Sequence, residues 1–377
     1  MRKRPVYLAI FAFVGSIVLY LFVFQDYTPP PQPTEQMQFK KKIILQWTPI
    51  FGEYKTEALN ACPLKDKCEF FIDKSVIKHA DAVIFHDIIG ELPKKAFEKQ
   101  KFVIYTMESA LNVMGSWSKL PDNYIDWVMS HVSSSDIHSP YGGYWVNPKI
   151  AKENGFPPIS LPSDEKTILS TKKIKGALWV VSNCKTLSKR ELIFAELGKY
   201  FRIDIAGGCA KNKTMKNYCS REGNCIEKKS SYYFLIIAEN TICRDYITEK
   251  YWWTYELPII PIVMKREIYE MKIPPKSFIA VNDFKNSKEM SKYLNYLMNN
   301  HTAYMEYFQW RKNGWAVAPW NTKNYRIGVC DLCEKLLQND DRKKEPYLNV
   351  SEWFLEANSC EHDEFANEWI KNSKIKG

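Results

Sequence analysis

Between Phe234 and Trp253 the chain reads FLIIAENTICRDYITEKYWW. An apolar run typical of a buried strand stops at Glu239 and Asn240, and Arg244, Asp245, Tyr246, Glu249 and Lys250 come at once. Thr248 can cap a helix that opens on TEKYWW, which puts Glu249 and Lys250 in its first turn. Backbone N–H groups at a helix start, joined by a cation, favour a phosphate. Tyr246, Trp252 and Trp253 offer either a face for a base or ordinary core. The chemistry of these residues is that of a nucleotide-diphosphate pocket at a strand-to-helix junction. The alternative is a solvated loop whose charges pair with one another.

Metal chemistry has little to work with. Hard cations need adjacent oxygen ligands, and no two aspartates are separated by a single residue. His79 and His86, and His131 and His138, lie seven apart, and no H-x-x-x-H pair occurs. Charge neutralisation by Arg and Lys is the expectation, with no metal site and no required cofactor; a divalent ion such as manganese would be a stimulant at most.

The elements that must position these residues alternate between strand and helix. KKIILQW (41–47), ADAVIFHD (80–87), KFVIYTME (101–108) and IDWVMSH (125–131) read as strands of a first half. Their near-continuous apolar character fits parallel strands covered on both faces. A Pro/Ser/Lys-rich stretch, 154–173, reads as a linker. The second half carries GALWVVSN (176–183), RIDIAGG (202–208), YYFLIIAEN (232–240), IIPIVM (259–264) and SFIAVND (277–283). After the first of these strands comes the helix SKRELIFAELGKY, with Ser188 as N-cap and Glu191 completing a capping box. This alternation implies two α/β domains with parallel sheets, and ligands of such sheets bind at the carboxyl ends of the strands.

At the N-terminus, MRKR precedes about 20 uncharged residues, enough to span a bilayer. The basic residues stay cytoplasmic under the positive-inside rule, and bulky residues close the apolar run, so an uncleaved signal-anchor is expected rather than a cleaved signal peptide. The expected organisation is a cytoplasmic tail (1–4), a transmembrane anchor (5–24) and a Pro-rich stem (25–40). An N-terminal α/β domain (41–160), a second α/β domain (174–335) and a C-terminal tail (336–377) complete it. Residues 1–42 hold six Lys/Arg and two acids, leaving +6 of the total +10 to the globular part. That balance suits a small anionic substrate. With no arginine-rich run or nucleic-acid module, nucleic-acid binding is not expected. Ten cysteines beyond a membrane suggest structural disulfides, with Cys62, Cys68, Cys330 and Cys333 as candidates. Asn212, Asn300 and Asn349 stand in N-x-S/T sequons, in keeping with a lumenal surface.

AENTICRDYITEK resembles the signature of the α1,3/α1,4-fucosyltransferases, which use GDP-fucose as donor, and among them an invertebrate α1,3-enzyme. WVVSNCKTLSKRELIFAELGKY with IDIAGGC, IPPKSFIAVNDF, YTMES, WVMSHVSSSDIHSPYGG and the late CDLC resemble further blocks of that family, in its order. The resemblance implies a type II Golgi membrane protein with a lumenal catalytic region. It also implies a GT-B architecture, two Rossmann-like domains facing a cleft. Arg190 and Lys250 then match the cations on the GDP diphosphate, and Asn240, Tyr246 and Glu249 match donor-pocket positions. Glu249 would also stabilise an oxocarbenium-like sugar. Glu108 matches the general base that takes the proton of the acceptor hydroxyl. The implied reaction moves fucose from GDP-β-L-fucose, with inversion, to the 3-hydroxyl of N-acetylglucosamine in N-glycans or related oligosaccharides. The alternatives are the same scaffold with another nucleotide-sugar donor, or an inactive glycan-binding Golgi protein. Bridges from Cys62 and Cys68 to Cys330 and Cys333 are expected, though the pairing is open. The chain departs from the pattern in three places: YWWTYELPIIPIVM is bulkier and shorter, His131, Val132 and Ser133 replace other residues on the acceptor side, and MESALN lacks a proline after Glu-Ser.

Overall fold

Ile43–Leu45, Ala82–Phe85, Phe102–Thr106 and Val128–Ser130 are buried without a break. Unbroken burial arises when a parallel sheet is covered on both faces, so alternation would have been the wrong signal to look for. The computed structural model describes residues 41–374 apart from 56, 58, 61, 87–90, 154, 220–224, 319–327 and 339–344. The expected cytoplasmic tail, anchor and stem lie outside these residues; among the described residues no helix is long and apolar enough to cross a membrane.

The first sheet has six strands: β1 (Lys42–Gln46), β2 (Cys68–Phe71), β3 (Ala82–Phe85), β4 (Lys101–Thr106), β5 (Trp127–Ser130) and β6 (Ile137–His138). They run parallel in the order β2-β1-β3-β4-β5-β6. A short antiparallel pair joins β7 (Tyr144–Val146) to β13 (Ala316–Ala318). The second sheet holds β8 (Ile174–Val180), β9 (Ile203–Ala206), β10 (Tyr232–Ile236), β11 (Ile260–Val263) and β12 (Ile279–Ala280), parallel in the order β12-β11-β10-β8-β9. The α/β class with parallel sheets is therefore as expected. Every strand read from the sequence is present, most of them shorter by a few residues at their ends, while β8 begins two residues earlier than read, at Ile174; β2, β6, β7 and β13 had no such signal because two to four residues cannot establish a period.

Four helices matter for the site: α1 (Ala110–Trp117), α2 (Arg190–Leu197), α3 (Glu249–Trp252) and α4 (Val329–Leu337). Cys330 and Cys333 lie on α4 and are bonded to Cys62 and Cys68, the expected early-to-late pairing. The same helix packs among Ile44, Ala82 and Val103, so the CDLC segment joins the core of the first sheet although it comes after the second in sequence. Cys184–Cys209, Cys219–Cys225 and Cys243–Cys360 complete the set. The stretch set apart as a tail contains two packed helices, α5 (Val350–Asn358) and α6 (Glu364–Lys374), which cover the first and second sheets respectively.

All three sequon asparagines are helix N-caps, their side-chain oxygens accepting from the N–H of Met215, Ala303 and Glu352. Asn300→Gln therefore removes a cap as well as a sequon and is expected to lower stability by about 1 kcal/mol more than Thr302→Ala, which removes the sequon alone. Melting of the two variants side by side checks this; equal shifts would show the cap to be immaterial.

Candidate active site

In the second sheet the strand order reverses between β8 and β10, and ligands of open α/β sheets bind at the carboxyl ends beside such a reversal. The chain after β8 leads to Arg190, and the chain after β10 leads to Glu239 and Asn240. These two loops are stitched together. Ser188 donates its N–H to the Asn240 carbonyl at 3.0 Å and its hydroxyl to the Glu239 carbonyl at 2.8 Å. Arg190, buried, donates from Nη1 to the Ala238 carbonyl and from Nη2 to the Asn183 carbonyl at 3.1 Å. Burial pulls its guanidinium below the usual value while the charges of Glu239, Glu191 and Glu249 oppose the shift, and an arginine in a protein stays cationic. Its Nε is buried with no hydrogen-bond partner among the described residues.

Glu239 organises the start of α3. Its Oε1 accepts the N–H and the hydroxyl of Thr248 at 3.0 and 2.8 Å. Its Oε2 lies 2.8 Å from the Lys250 ammonium, which also contacts Thr248 Oγ1 at 2.9 Å and Glu249 at 3.2 Å. Burial alone would lower the lysine's pKa; Glu239 and Glu249 outweigh it and raise it, so the charge is secure.

The first sheet supplies Glu108, two residues past the end of β4. Its Oε2 accepts from Asn112 at 2.8 Å and from the Tyr246 hydroxyl at 3.0 Å, although Tyr246 is 138 residues away. Tyr141 donates to the Met107 carbonyl beside it. Burial first, then the charges of Glu108, Glu249 and Glu239, push the Tyr141 phenol far above its ordinary range. Burial, with Tyr141, Glu108 and Glu239, does the same to Tyr246, which therefore stays a neutral donor. The Tyr246–Glu108 bond thus joins a carboxylate at the carboxyl end of the first sheet to the loop after β10 in the second, where Lys250 is held by Glu239 and Glu249 and Arg190 by the Ala238 carbonyl. Such an arrangement can deprotonate a hydroxyl and stabilise an anionic leaving group.

The family model described as glycosyltransferase family 10 (fucosyltransferase), C-term, matches residues 170–353, and that described as fucosyltransferase, N-terminal, matches residues 39–142. The chain is 35% identical over 340 residues to alpha-(1,3)-fucosyltransferase fut-1 of Caenorhabditis elegans, covering 86% of this chain and 71% of that protein. The chain belongs to glycosyltransferase family 10. It is also 31% identical over 327 residues to the human 4-galactosyl-N-acetylglucosaminide 3-alpha-L-fucosyltransferase FUT6, over 83% and 82% of the two chains. A crystal structure of an alpha1,3-fucosyltransferase shares the fold, with a TM-score of 0.50 at 18% identity over 82% of this chain and 94% of that one.

In this family 10 fucosyltransferase, Glu108 and Tyr246 are in direct contact, as are Glu249 and Lys250, and Arg190 reaches the strand end that carries Glu239 and Asn240. Several expectations need correction. Thr248 caps α3, a helix of four residues, and the Thr248 N–H is held by Glu239. The N-cap of α2 is Lys189 (φ 50°), not Ser188. Ser188 is drawn away to Glu239, and Glu191 accepts from the Thr186 hydroxyl at 3.0 Å, so no capping box forms. Of the aromatic residues offered as a base platform, Tyr246 is buried and Trp252 packs in the core; only Trp253 is open, at 65% exposure. Trp252 lies so close against Gly142 that a β-carbon there would come within 2.0 Å of its ring, which explains the glycine. Of the changed positions on the expected acceptor side, His131 and Val132 are buried and Ser133 is exposed. The His131 ring lies 5.1 Å from that of Tyr246, tilted by 56°, and Ser133 bonds to Asp245.

Sequence reasoning assigned no role to Glu239, Tyr141 or Asp245. The first had a visible signal: a carboxylate placed directly at the end of an apolar strand, with a lysine downstream. Asp245 accepts from the N–H and hydroxyl of Ser133 at 2.8 and 2.6 Å and pairs with Lys272 at 2.5 Å. Burial raises its pKa, but Lys272 and Ser133 outweigh that and hold it at about 2, against the ordinary 3.8. A depressed carboxyl stabilises the fold above its unfolded pKa, and the contribution disappears as pH falls from about 4 towards about 2. Asp245→Asn, which tolerates the left-handed φ of 68°, is expected to cost about 2 kcal/mol at pH 7 and to flatten the wild-type loss of stability across that window. Denaturant titrations at pH 7 and pH 3 read both effects; parallel pH curves for the two proteins would refute the assignment.

Proposed function

We propose that this chain is an inverting α1,3-fucosyltransferase that moves L-fucose from GDP-β-L-fucose to the 3-hydroxyl of N-acetylglucosamine in N-glycans or related oligosaccharides. The hydrogen bond from Tyr246 to Glu108 carries the reading, because it brings a strand-end carboxylate of the first sheet to the cation-bearing strand reversal of the second. In the reaction the acceptor oxygen attacks the anomeric carbon from the face opposite GDP while Glu108 takes its proton. The bond from that carbon to the β-phosphate oxygen breaks, and GDP departs with the electron pair. Lys250 and Arg190 stabilise the charge growing on the departing phosphate. Asn240, Tyr246 and Glu249 shape the donor pocket, and Glu249 sits where a positively charged sugar ring gains from a carboxylate.

The two sheets with their facing loops act as the two Rossmann-like domains of a GT-B enzyme, the first on the acceptor side and the second on the donor side. The N-terminal apolar segment anchors the protein in the Golgi membrane as a single-pass type II protein, its catalytic region lumenal. Mixing the folded protein with GDP-fucose, GDP-mannose and UDP-sugars, each with an N-glycan panel, tests the proposal by mass spectrometry. A gain of one deoxyhexose from GDP-fucose alone, retained in EDTA, is the expected result. Transfer from another donor, or GDP binding without any product, would overturn it.

A further inference from the structure

We infer that Asn358, at the end of α5, is a positioning residue that holds Glu108 and Tyr246 in register; the inference rests on the role of Glu108 as base proposed above. Asn358 is fully buried and lies beyond residue 353, where the family match ends. Its Oδ1 accepts the Ala110 N–H at 2.8 Å, across 248 residues of sequence. Ala110 is the first residue of α1, and a helix start leaves its N–H groups without partners. Ser109 stands in the cap position but makes no side-chain cap bond, so Asn358 satisfies the helix that begins directly after Glu108-Ser109.

The other end of the same carboxamide faces the signature loop. Asn358 Nδ2 donates to the Arg244 carbonyl at 2.7 Å, and the Asn358 carbonyl accepts the Arg244 N–H at 2.8 Å. Arg244 also holds the Ala357 carbonyl through its guanidinium, at 2.7 Å. Two residues on, Tyr246 makes its bond to Glu108. Nδ2 also lies 3.2 Å from His131 Nε2, and the His131 ring packs against Tyr246. The orientation of the amide is fixed, because its oxygen meets an N–H and its nitrogen a carbonyl. The Cys243–Cys360 bridge and the Glu361 N–H bond to the Ile242 carbonyl at 2.8 Å hold the crossing segment on the signature loop. Both partners of the Glu108–Tyr246 contact are thus suspended from one side chain, whose own bonds run to Ala110 and Arg244.

Asn358→Asp tests this in the full-length chain. The carboxylate keeps an acceptor for Ala110 but loses the donor to Arg244. Turnover should fall by about tenfold or more while GDP affinity stays within about twofold, the pattern of a lost transition-state contribution. A residue that acts through Glu108 must lose its influence when Glu108 cannot act. In a Glu108→Gln background, then, the same substitution should cost less than about threefold. Equal losses in both backgrounds, or no loss in the wild-type background, would overturn the inference. Should Asn358→Asp fail to accumulate as folded protein, Ala110→Pro removes the same bond from the other side. Proline suits the first helical position, and Ser109 already has the extended ψ of 159° that a proline after it requires. The same background dependence is expected of it, and its absence overturns the inference equally. Full turnover by Glu108→Gln alone would remove the base assignment itself, whereas a dead Glu108→Gln with an unimpaired Asn358→Asp would remove only the positioning role.

Discussion

Glu108→Gln is expected to lower kcat for fucose transfer by about 10²–10⁴-fold, the range of a lost general base, while leaving GDP affinity within about twofold. The substitution is close to isosteric. Its amide oxygen can still accept from Tyr246 and Asn112, so the contact between the sheets persists and the fold has no reason to fail. The variant loses the capacity to hold the proton of the acceptor hydroxyl. Steady-state kinetics with saturating GDP-fucose, together with GDP binding by calorimetry, read the two quantities separately. Retention of more than about half of kcat would show that the base lies elsewhere.

Lys250→Ala should act on both turnover and stability. As the cation proposed to stabilise the leaving phosphate, Lys250 is expected to contribute about 10²–10³-fold to kcat. It also pairs with Glu239, which is 4% exposed and would lose its ammonium partner. Removing one partner of such a pair costs about 3–5 kcal/mol. The two effects separate in the double variant Glu239→Gln/Lys250→Ala, because a neutral amide can still accept from Thr248 and no longer needs the ammonium. Stability should return while turnover does not. Restoration of both would mean that Lys250 acts only on Glu239, and an unchanged kcat in the single variant would remove it from the leaving-group role.

The fold was largely legible because parallel strands buried on both faces write themselves as apolar runs, KIILQ, AVIF and FVIYT among them. The loops at the strand reversal were legible too, since Glu239 and Asn240 interrupt such a run abruptly. Less could be read where a residue answers to distant partners. Ser188 carries the local pattern of a capping box, yet a buried main-chain carbonyl at Glu239 competes for its hydroxyl and wins. The Glu108–Tyr246 bond joins two loops that no spacing relates, and Asn358 satisfies a helix start at the far end of the chain. The family resemblance placed His131, Val132 and Ser133 on the acceptor side. The first two are buried in the fold, and burial holds His131 neutral by pushing its pKa down to about 3.

The most direct test of the central claim is the stereochemistry and position of the bond that the enzyme makes. Wild-type protein and Glu108→Gln would each be incubated with GDP-β-L-fucose and an oligosaccharide bearing N-acetylglucosamine, and the products analysed by NMR. An α-linked fucose on the 3-hydroxyl, formed by the wild type and not at a comparable rate by the variant, is the predicted result. A β-linked product, fucose on another hydroxyl, or no transfer by folded protein that binds GDP would contradict it.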